Sequence, residues 1–497
     1  MPISFDSPPR RANLWLMVFA LVGASLVWLY PDAEQQDSAN HFLFSRWAAI
    51  HPVYFVSVWA RPLFTLIYFL PSQFGYPAAK LFTVGIGLIT AWQTFRLAEG
   101  LKLRRAEMIV PLLWLQPALF ALSSEVMTEM LFALLFVVAL RLHLAGKITA
   151  GMLVASLLIL VRPEGFFIGV LWGFWILDFG FWIRRPVGRE IQNPKSKIQI
   201  LRCLLLASGM VVWWLAALAI TGDKLWIVHN WPHDWQVDGQ ANGTGPIWWY
   251  AAQLPLIAGL PLFVPFLVGL WDLLRHRKLG FATSSFLMLF GMHSLMFVFG
   301  WFGSAGYARY FVCISPVIAL ISLVGWNELA DKWSRRWLQA AGLTLAALTC
   351  LVYVDSIRFS RDAFAVKAMS DWIHLFHPEL FKVSEGTHYT RLISSQVYPR
   401  VLFDRDPLEN ASFTANREHN LNLIRHSPEG TLVLWEDDTG PKWFRLQADD
   451  FQDAGYELLK SQEFKLQGYF VRLPWSRFGG WRLQRMHWLY KRPRSQP

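Results

Sequence analysis

Residues 13–37 read NLWLMVFALVGASLVWLYPDAEQQD. Residues 13–30 carry no charge, and Pro31 and the carboxylates Asp32, Glu34 and Asp37 follow at once. An apolar run of that length, wound as a helix, reaches across most of a bilayer's hydrocarbon core. The acids after it are then tethered at the water boundary. The run ends without a small-x-small cleavage motif, so it reads as a retained signal anchor.

The same pattern extends over most of the chain. Of 497 residues, 54% are hydrophobic, with 27 Trp and 38 Phe, too much apolar surface for a soluble protein of this size. Apolar runs recur at 77–95, 106–122, 126–145, 148–162, 165–183, 203–221, 247–272, 281–302, 308–326 and 338–354. With 13–30 they predict about eleven membrane-spanning helices, hence an α-helical polytopic membrane protein. A formal charge of +11 would suit a nucleic-acid binder, but the positions of the bases argue against it. They gather at 10–11 and in alternate turns, at 96–105, 141–147, 184–202, 275–278 and 332–336. Basic turns stay cytoplasmic, which predicts a cytoplasmic amino terminus in the cell membrane or, in a eukaryote, the endoplasmic reticulum membrane. Counting 53–70 as a further span would invert every later segment, and Arg61-Pro62 interrupts it. Residues 40–76 therefore read as loop, with helices lying in the interface.

The expected organisation is a membrane domain over 1–354, with a long first external loop at 31–76, and a small extracytoplasmic α/β domain over 355–497. In that second domain the pattern predicts helices at 362–376 and 416–424 and strands at 431–435 and 469–473. The Arg- and Trp-rich tail at 475–494 suits anionic lipid head groups, or is a plain basic tail. Cys203, Cys313 and Cys350 fall inside or at the ends of apolar runs, with no disulfide or metal-ligand spacing.

With this sidedness the unusual polar groups collect on the outer face. Asp32, Glu34 and Asp37 open the first loop. Ser124-Glu125-Val126-Met127-Thr128-Glu129 lies between the third and fourth spans, with Glu125 and Glu129 one helical turn apart on one face. Arg162-Pro163-Glu164-Gly165 sits where the fifth span turns into the sixth, His229 and His233 stand in the loop 222–246, and Arg309-Tyr310 leads into the tenth span. Ionisable groups at membrane depth are costly and mark a functional site by default. Acids supply a general base, or ligands for a divalent ion such as Mg or Mn, for which Asp32, Glu34 and Asp37 are candidates. Arginines grip phosphate through their planar forks. Simpler roles compete. Glu125 and Glu129 also suit a helix start, Arg162 and Glu164 a local ion pair, and Arg309-Tyr310 an interface anchor. Pro232 works against a helical His229–His233 metal pair.

In their order and sidedness these motifs resemble the GT-C superfamily of polytopic glycosyltransferases, over the whole chain in layout. The resemblance implies a sugar donor linked to polyprenyl phosphate, an acceptor lipid, glycan or protein, and inverting transfer of mannose or another hexose. It places the catalytic acid in the first external loop, at Asp32. Glu34 is the other candidate, because the spacing here is Asp-x-Glu rather than adjacent acids. Arg309 and Tyr310, with Arg162 or Arg61, are the candidates at the donor phosphate. No Gly-rich phosphate loop is present, so no nucleotide site is expected. Two rival readings are a flippase of lipid-linked sugars and a non-catalytic assembly protein. A transporter usually shows matched repeats with broken helices, and no repeat is visible here.

Overall fold

The computed structural model describes residues 10–32, 36–176, 203–231, 244–276, 280–332, 336–358, 362–381, 391–408, 413–414, 416–437, 439–466 and 482–492. The chain divides into two compact units, Met1–Pro31 with Ala48–Val354, and Asp32–Trp47 with Asp355–Pro497. The last junction lies between Val354 and Asp355. The first loop does not stay whole, because its opening sixteen residues, Asp32–Trp47, group with the carboxyl-terminal unit.

The first unit is helical. Arg10–Leu29, Tyr76–Gly100, Leu204–Thr221, Gly280–Phe299 and Ala308–Asp331 are each long and apolar enough to cross a membrane. Two expected spans are not single rods. The run 106–122 contains the short helices Ile109–Trp114 and Pro117–Leu122, because Pro117 forces Gln116 into an extended conformation at ψ 116°. The run 247–272 contains Trp249–Ala258 and Phe263–His276, which meet at 110°. Gly259 makes that corner with φ 95°, a conformation that side chains with a Cβ rarely adopt. The stretch 53–70 forms the short 3-10 turn Pro52–Phe55 and the 12-residue helix Pro62–Gln73, broken at Arg61-Pro62. A 12-residue helix spans only about 18 Å, less than a hydrocarbon core.

Without a hydrophobic driving force between helices in lipid, close approach and hydrogen bonds hold them together. The helices Phe263–His276 and Ser315–Lys332 cross at Gly269 and Gly325, where an added Cβ would run into the Ile321 and Pro265 carbonyl oxygens. Tyr68 and Thr83 share a buried hydroxyl–hydroxyl bond of 2.8 Å between consecutive helices. The Trp213 and Trp226 indoles both donate to the Val56 carbonyl, at 2.9 and 3.1 Å, and pin the non-helical stretch before Arg61.

The second unit is built on a four-stranded sheet of order β1-β2-β4-β3: β1 (Leu392–Ser394), β2 (Leu432–Glu436), β3 (Tyr456–Leu466) and β4 (Arg482–Lys491). β1 runs parallel to β2, and β4 runs antiparallel to both of its neighbours. Every residue of β2 is buried, and its first four, Leu432–Trp435, form a continuous apolar run rather than an alternating one, with Glu436 closing the strand. Val433 and Trp435 enter a core with Phe413 and Phe451. Trp488 lies opposite Leu434 and donates its indole N–H to the Met369 carbonyl at 2.8 Å, so the helix Asp362–Phe376 packs near it.

The helix Asp362–Phe376 and the strand at 431–435 match the sequence pattern closely. The helix expected at 416–424 is Arg417–His426, capped by Asn416, whose side chain accepts the His419 N–H. The strand expected at 469–473 lies outside the described residues. The basic tail is corrected: its residues 482–491 form the inner strand β4, with Met486 and Trp488 fully buried. Alternation of Met486 and Trp488 with longer polar residues carried that signal, masked by the density of arginine.

Arg417 clasps Asp450 with two hydrogen bonds of 2.9 and 2.7 Å, and Asp450 also accepts the Gln447 N–H at 2.7 Å. Burial works to raise the Asp450 carboxyl, but the Arg417 and Gln447 donors outweigh it and hold the group below its usual range. A carboxylate depressed in the folded state stabilises above its unfolded pKa and stops doing so as pH falls through the folded value. Asp450→Asn is therefore expected to lower the thermal midpoint of the chain at pH 7 by roughly 2–4 °C. The difference from the parent should shrink at a pH acid enough to protonate this carboxylate in the folded chain. Melting curves at the two pH values check this.

Candidate functional site

In the first unit, four segments bring ionisable side chains together. The helix Thr128–Leu144 contributes Thr128 and Glu129 from its first turn. Arg162 precedes Pro163 and the helix Glu164–Ile176, which Glu164 opens. Both glutamates sit at helix amino termini, where the backbone N–H groups favour a carboxylate. Gly280–Phe299 supplies His293, and the 3-10 turn Ala308–Ile314 supplies Arg309 and Tyr310.

Arg162 is the hub. Its Nη1 lies 2.8 Å from Glu129 Oε1 and donates to Thr128 Oγ1 at 3.0 Å. Its Nη2 donates to Glu164 Oε1 at 2.7 Å, and its Nε reaches both Glu164 oxygens at 3.2 Å. Arg162 thus pairs with Glu164, as the simpler sequence reading has it, but also with a second carboxylate from another helix. Its three nitrogens all face protein oxygens, so the structure gives it a structural role before any phosphate-binding one. Arg309 Nε lies 3.9 Å from the same Glu129 oxygen, and its guanidinium stands over the Tyr307 ring at 4.8 Å. Two guanidiniums thus offset two carboxylates that are 1% and 8% exposed, as burial of charge demands.

Tyr310 packs within this cluster rather than anchoring an interface. His293 stacks on its ring at 5.1 Å, and the Arg162 guanidinium lies 5.7 Å from its centroid. His293 Nε2 is buried 3.8 Å from Glu164 Oε1 and makes no hydrogen bond among the described residues. The sequence reading missed His293. The signal was one ionisable residue inside the apolar run 281–302.

Glu125 and Glu129 do not share a face. Met127 is extended at φ −125° and ψ 144°, so the helix begins only at Thr128 and Glu125 lies in the turn before it. Glu125 instead pairs with Lys80 Nζ at 3.2 Å and accepts the Tyr76 hydroxyl at 3.1 Å. Lys80 also donates to the Tyr30 carbonyl at 2.7 Å, which fixes the end of the first span to the start of the helix Tyr76–Gly100. This buried pair was also missed, although Lys80 is the one base inside the apolar run 77–95.

The remaining candidates separate. Arg61 holds φ 65° and donates from Nη1 to the Val58 carbonyl at 3.1 Å. His229 bonds Asp223 through Nδ1 at 2.7 Å, and His233 lies outside the described residues. The Leu225 N–H and His229 hold Asp223 below the usual carboxylate range. In the second unit, Asp32 Oδ1 accepts the Tyr398 hydroxyl at 2.6 Å, and Asp37 lies in the first turn of the helix Gln36–Trp47. Glu34 lies outside the described residues. Among the described residues, no three His, Cys, Asp or Glu side chains gather as a metal site.

No family model matches the chain, and no curated protein matches it by sequence. Solved structures do. ArnT from Cupriavidus metallidurans bound to undecaprenyl phosphate aligns with TM-score 0.55 and 12% identity, over 96% of this chain and 98% of that one. The same protein in the apo state gives TM-score 0.56 at 12% identity, over the same shares of both chains. The chain has a GT-C fold. The Archaeoglobus fulgidus oligosaccharyltransferase in complex with Zn and sulfate is also similar, at TM-score 0.49 and 14% identity over 94% of this chain and 72% of that one.

Proposed function

We propose that the chain is a glycosyltransferase that moves a sugar, mannose or another hexose, from a polyprenyl phosphate to an acceptor at the extracytoplasmic membrane face. The observation that supports it is the fold shared over 96% of the chain with ArnT bound to undecaprenyl phosphate. A carboxylate, Asp32 or Glu34, takes the proton of an acceptor hydroxyl as the oxygen attacks the anomeric carbon. The bond from that carbon to the phosphate oxygen breaks, and its electron pair leaves with polyprenyl phosphate. One in-line displacement inverts the anomeric centre. Phosphate is a good leaving group, so no separate general acid is needed. Arg309 offsets the charge of the departing phosphate, with Arg61 as the next candidate, while the apolar spans receive the isoprenoid tail.

The test is to incubate the purified protein with a polyprenyl-phosphate sugar and an acceptor and to measure release of polyprenyl phosphate. Release coupled to sugar transfer is expected. Movement of intact donor across a bilayer without cleavage would identify a flippase instead. Arg309→Ala is expected to weaken donor binding by about ten- to a hundredfold, read as donor KM in the same assay. Unchanged donor KM would return Arg309 to an anchoring role.

A further inference from the structure

We infer that Tyr398, a residue of the carboxyl-terminal unit, is a positioning residue for Asp32. The inference rests on the transferase reading above. The opening of the first loop is part of this unit, not a free tether after the first span. The helix Gln36–Trp47 is fastened at both ends to the segment around the short helix Tyr398–Leu402. At its start, Gln36 Oε1 accepts the Val397 N–H at 2.7 Å, and the Gln36 and Gln396 side chains bond. At its end, Arg46 grips Asp404 with two bonds of 3.2 and 2.9 Å. Four residues before Gln36, the Tyr398 hydroxyl donates to Asp32 Oδ1 at 2.6 Å.

Tyr398 is 3% exposed, and its short helix fixes where its hydroxyl can reach. A phenol that donates to one carboxylate oxygen selects one orientation of the group and leaves the other oxygen to face the acceptor. Catalytic groups must be held within about 0.5 Å of the productive geometry, and second-layer bonds supply that constraint. The polar ties of Gln36 and Arg46 dock the helix, whereas the Tyr398 bond reaches the acid itself.

The experiment compares Tyr398→Phe with Asp404→Asn in the full chain. Both variants weaken the docked segment, but only the first removes the bond to Asp32. Tyr398→Phe is expected to lower kcat by about ten- to a hundredfold with donor KM within about twofold of the parent. Asp404→Asn is expected to keep kcat. Adding Tyr398→Phe to Asp32→Asn should cost nothing further, because the base is already gone. An unchanged kcat in Tyr398→Phe, or an equal loss in Asp404→Asn, overturns the positioning role. A parent that transfers no sugar fails the transferase reading instead. The contact is then read without turnover, from thermal midpoints of Asp32→Ala, Tyr398→Phe and the double variant. Coupled midpoints support Tyr398 as the partner that holds Asp32, and additive ones overturn it.

Discussion

Asp32→Asn is expected to abolish most of the sugar transfer, lowering kcat by about 10²–10⁴-fold while leaving the protein folded and donor KM little changed. The amide keeps the shape of the carboxylate and its Oδ1 still accepts the Tyr398 hydroxyl, so the local structure survives. What is lost is the ability to take a proton from the attacking hydroxyl. Single-turnover transfer, measured beside a melting curve, separates lost chemistry from lost fold. Glu34→Gln, assayed in parallel, decides between the two acids, and the base is the one whose amide is the more damaging. Full transfer by Asp32→Asn would remove Asp32 from the reaction.

Arg162→Ala should unfold or severely destabilise the membrane unit, by about 3–5 kcal/mol. Arg162 faces Glu129 at 2.8 Å and Glu164 at 2.7 Å, and truncation leaves two carboxylates buried beside each other. Arg309, 3.9 Å from Glu129, compensates only one of them weakly. Arg162→Lys should rescue little, because an ammonium cannot present a planar fork to two acids and Thr128 at once. Arg162→Met combined with Glu129→Gln and Glu164→Gln should recover part of the stability, since no carboxylate is left buried without a cation, while Arg309 loses Glu129 as a partner. Detergent-solubilised yield and thermal midpoints read all three. An Arg162→Ala protein as stable as its parent would show that the cluster is open to water and is not a structural hub.

The two experiments also separate two kinds of acid that the sequence presents alike. Asp32 and Glu164 each follow a proline at the end of an apolar run. Glu164 is held by the arginine two positions before it, whereas Asp32 is bonded to a tyrosine 366 positions away. Local spacing makes the first pairing visible and gives no hint of the second. The same limit explains Glu125 and Glu129. Their i, i+4 spacing suggested one face, but the helix start at Thr128 turned them toward different partners.

The sequence by itself determined the membrane class and the helical character, and it singled out the ionisable residues among the apolar runs. Those follow from the length of apolar runs and from the cost of ionisable groups among apolar ones. Each of these is a property of a short window. The tertiary structure decided which charges cancel which. It made Arg162 a hub, exposed His293 and Lys80 as members of buried clusters, and placed β4 inside its sheet. It also assigned Asp32–Trp47 to the carboxyl-terminal unit. The physical reason is range: hydrophobic partition acts residue by residue, whereas hydrogen bonds and ion pairs act over about 3 Å between segments whose distance along the chain leaves no trace in composition.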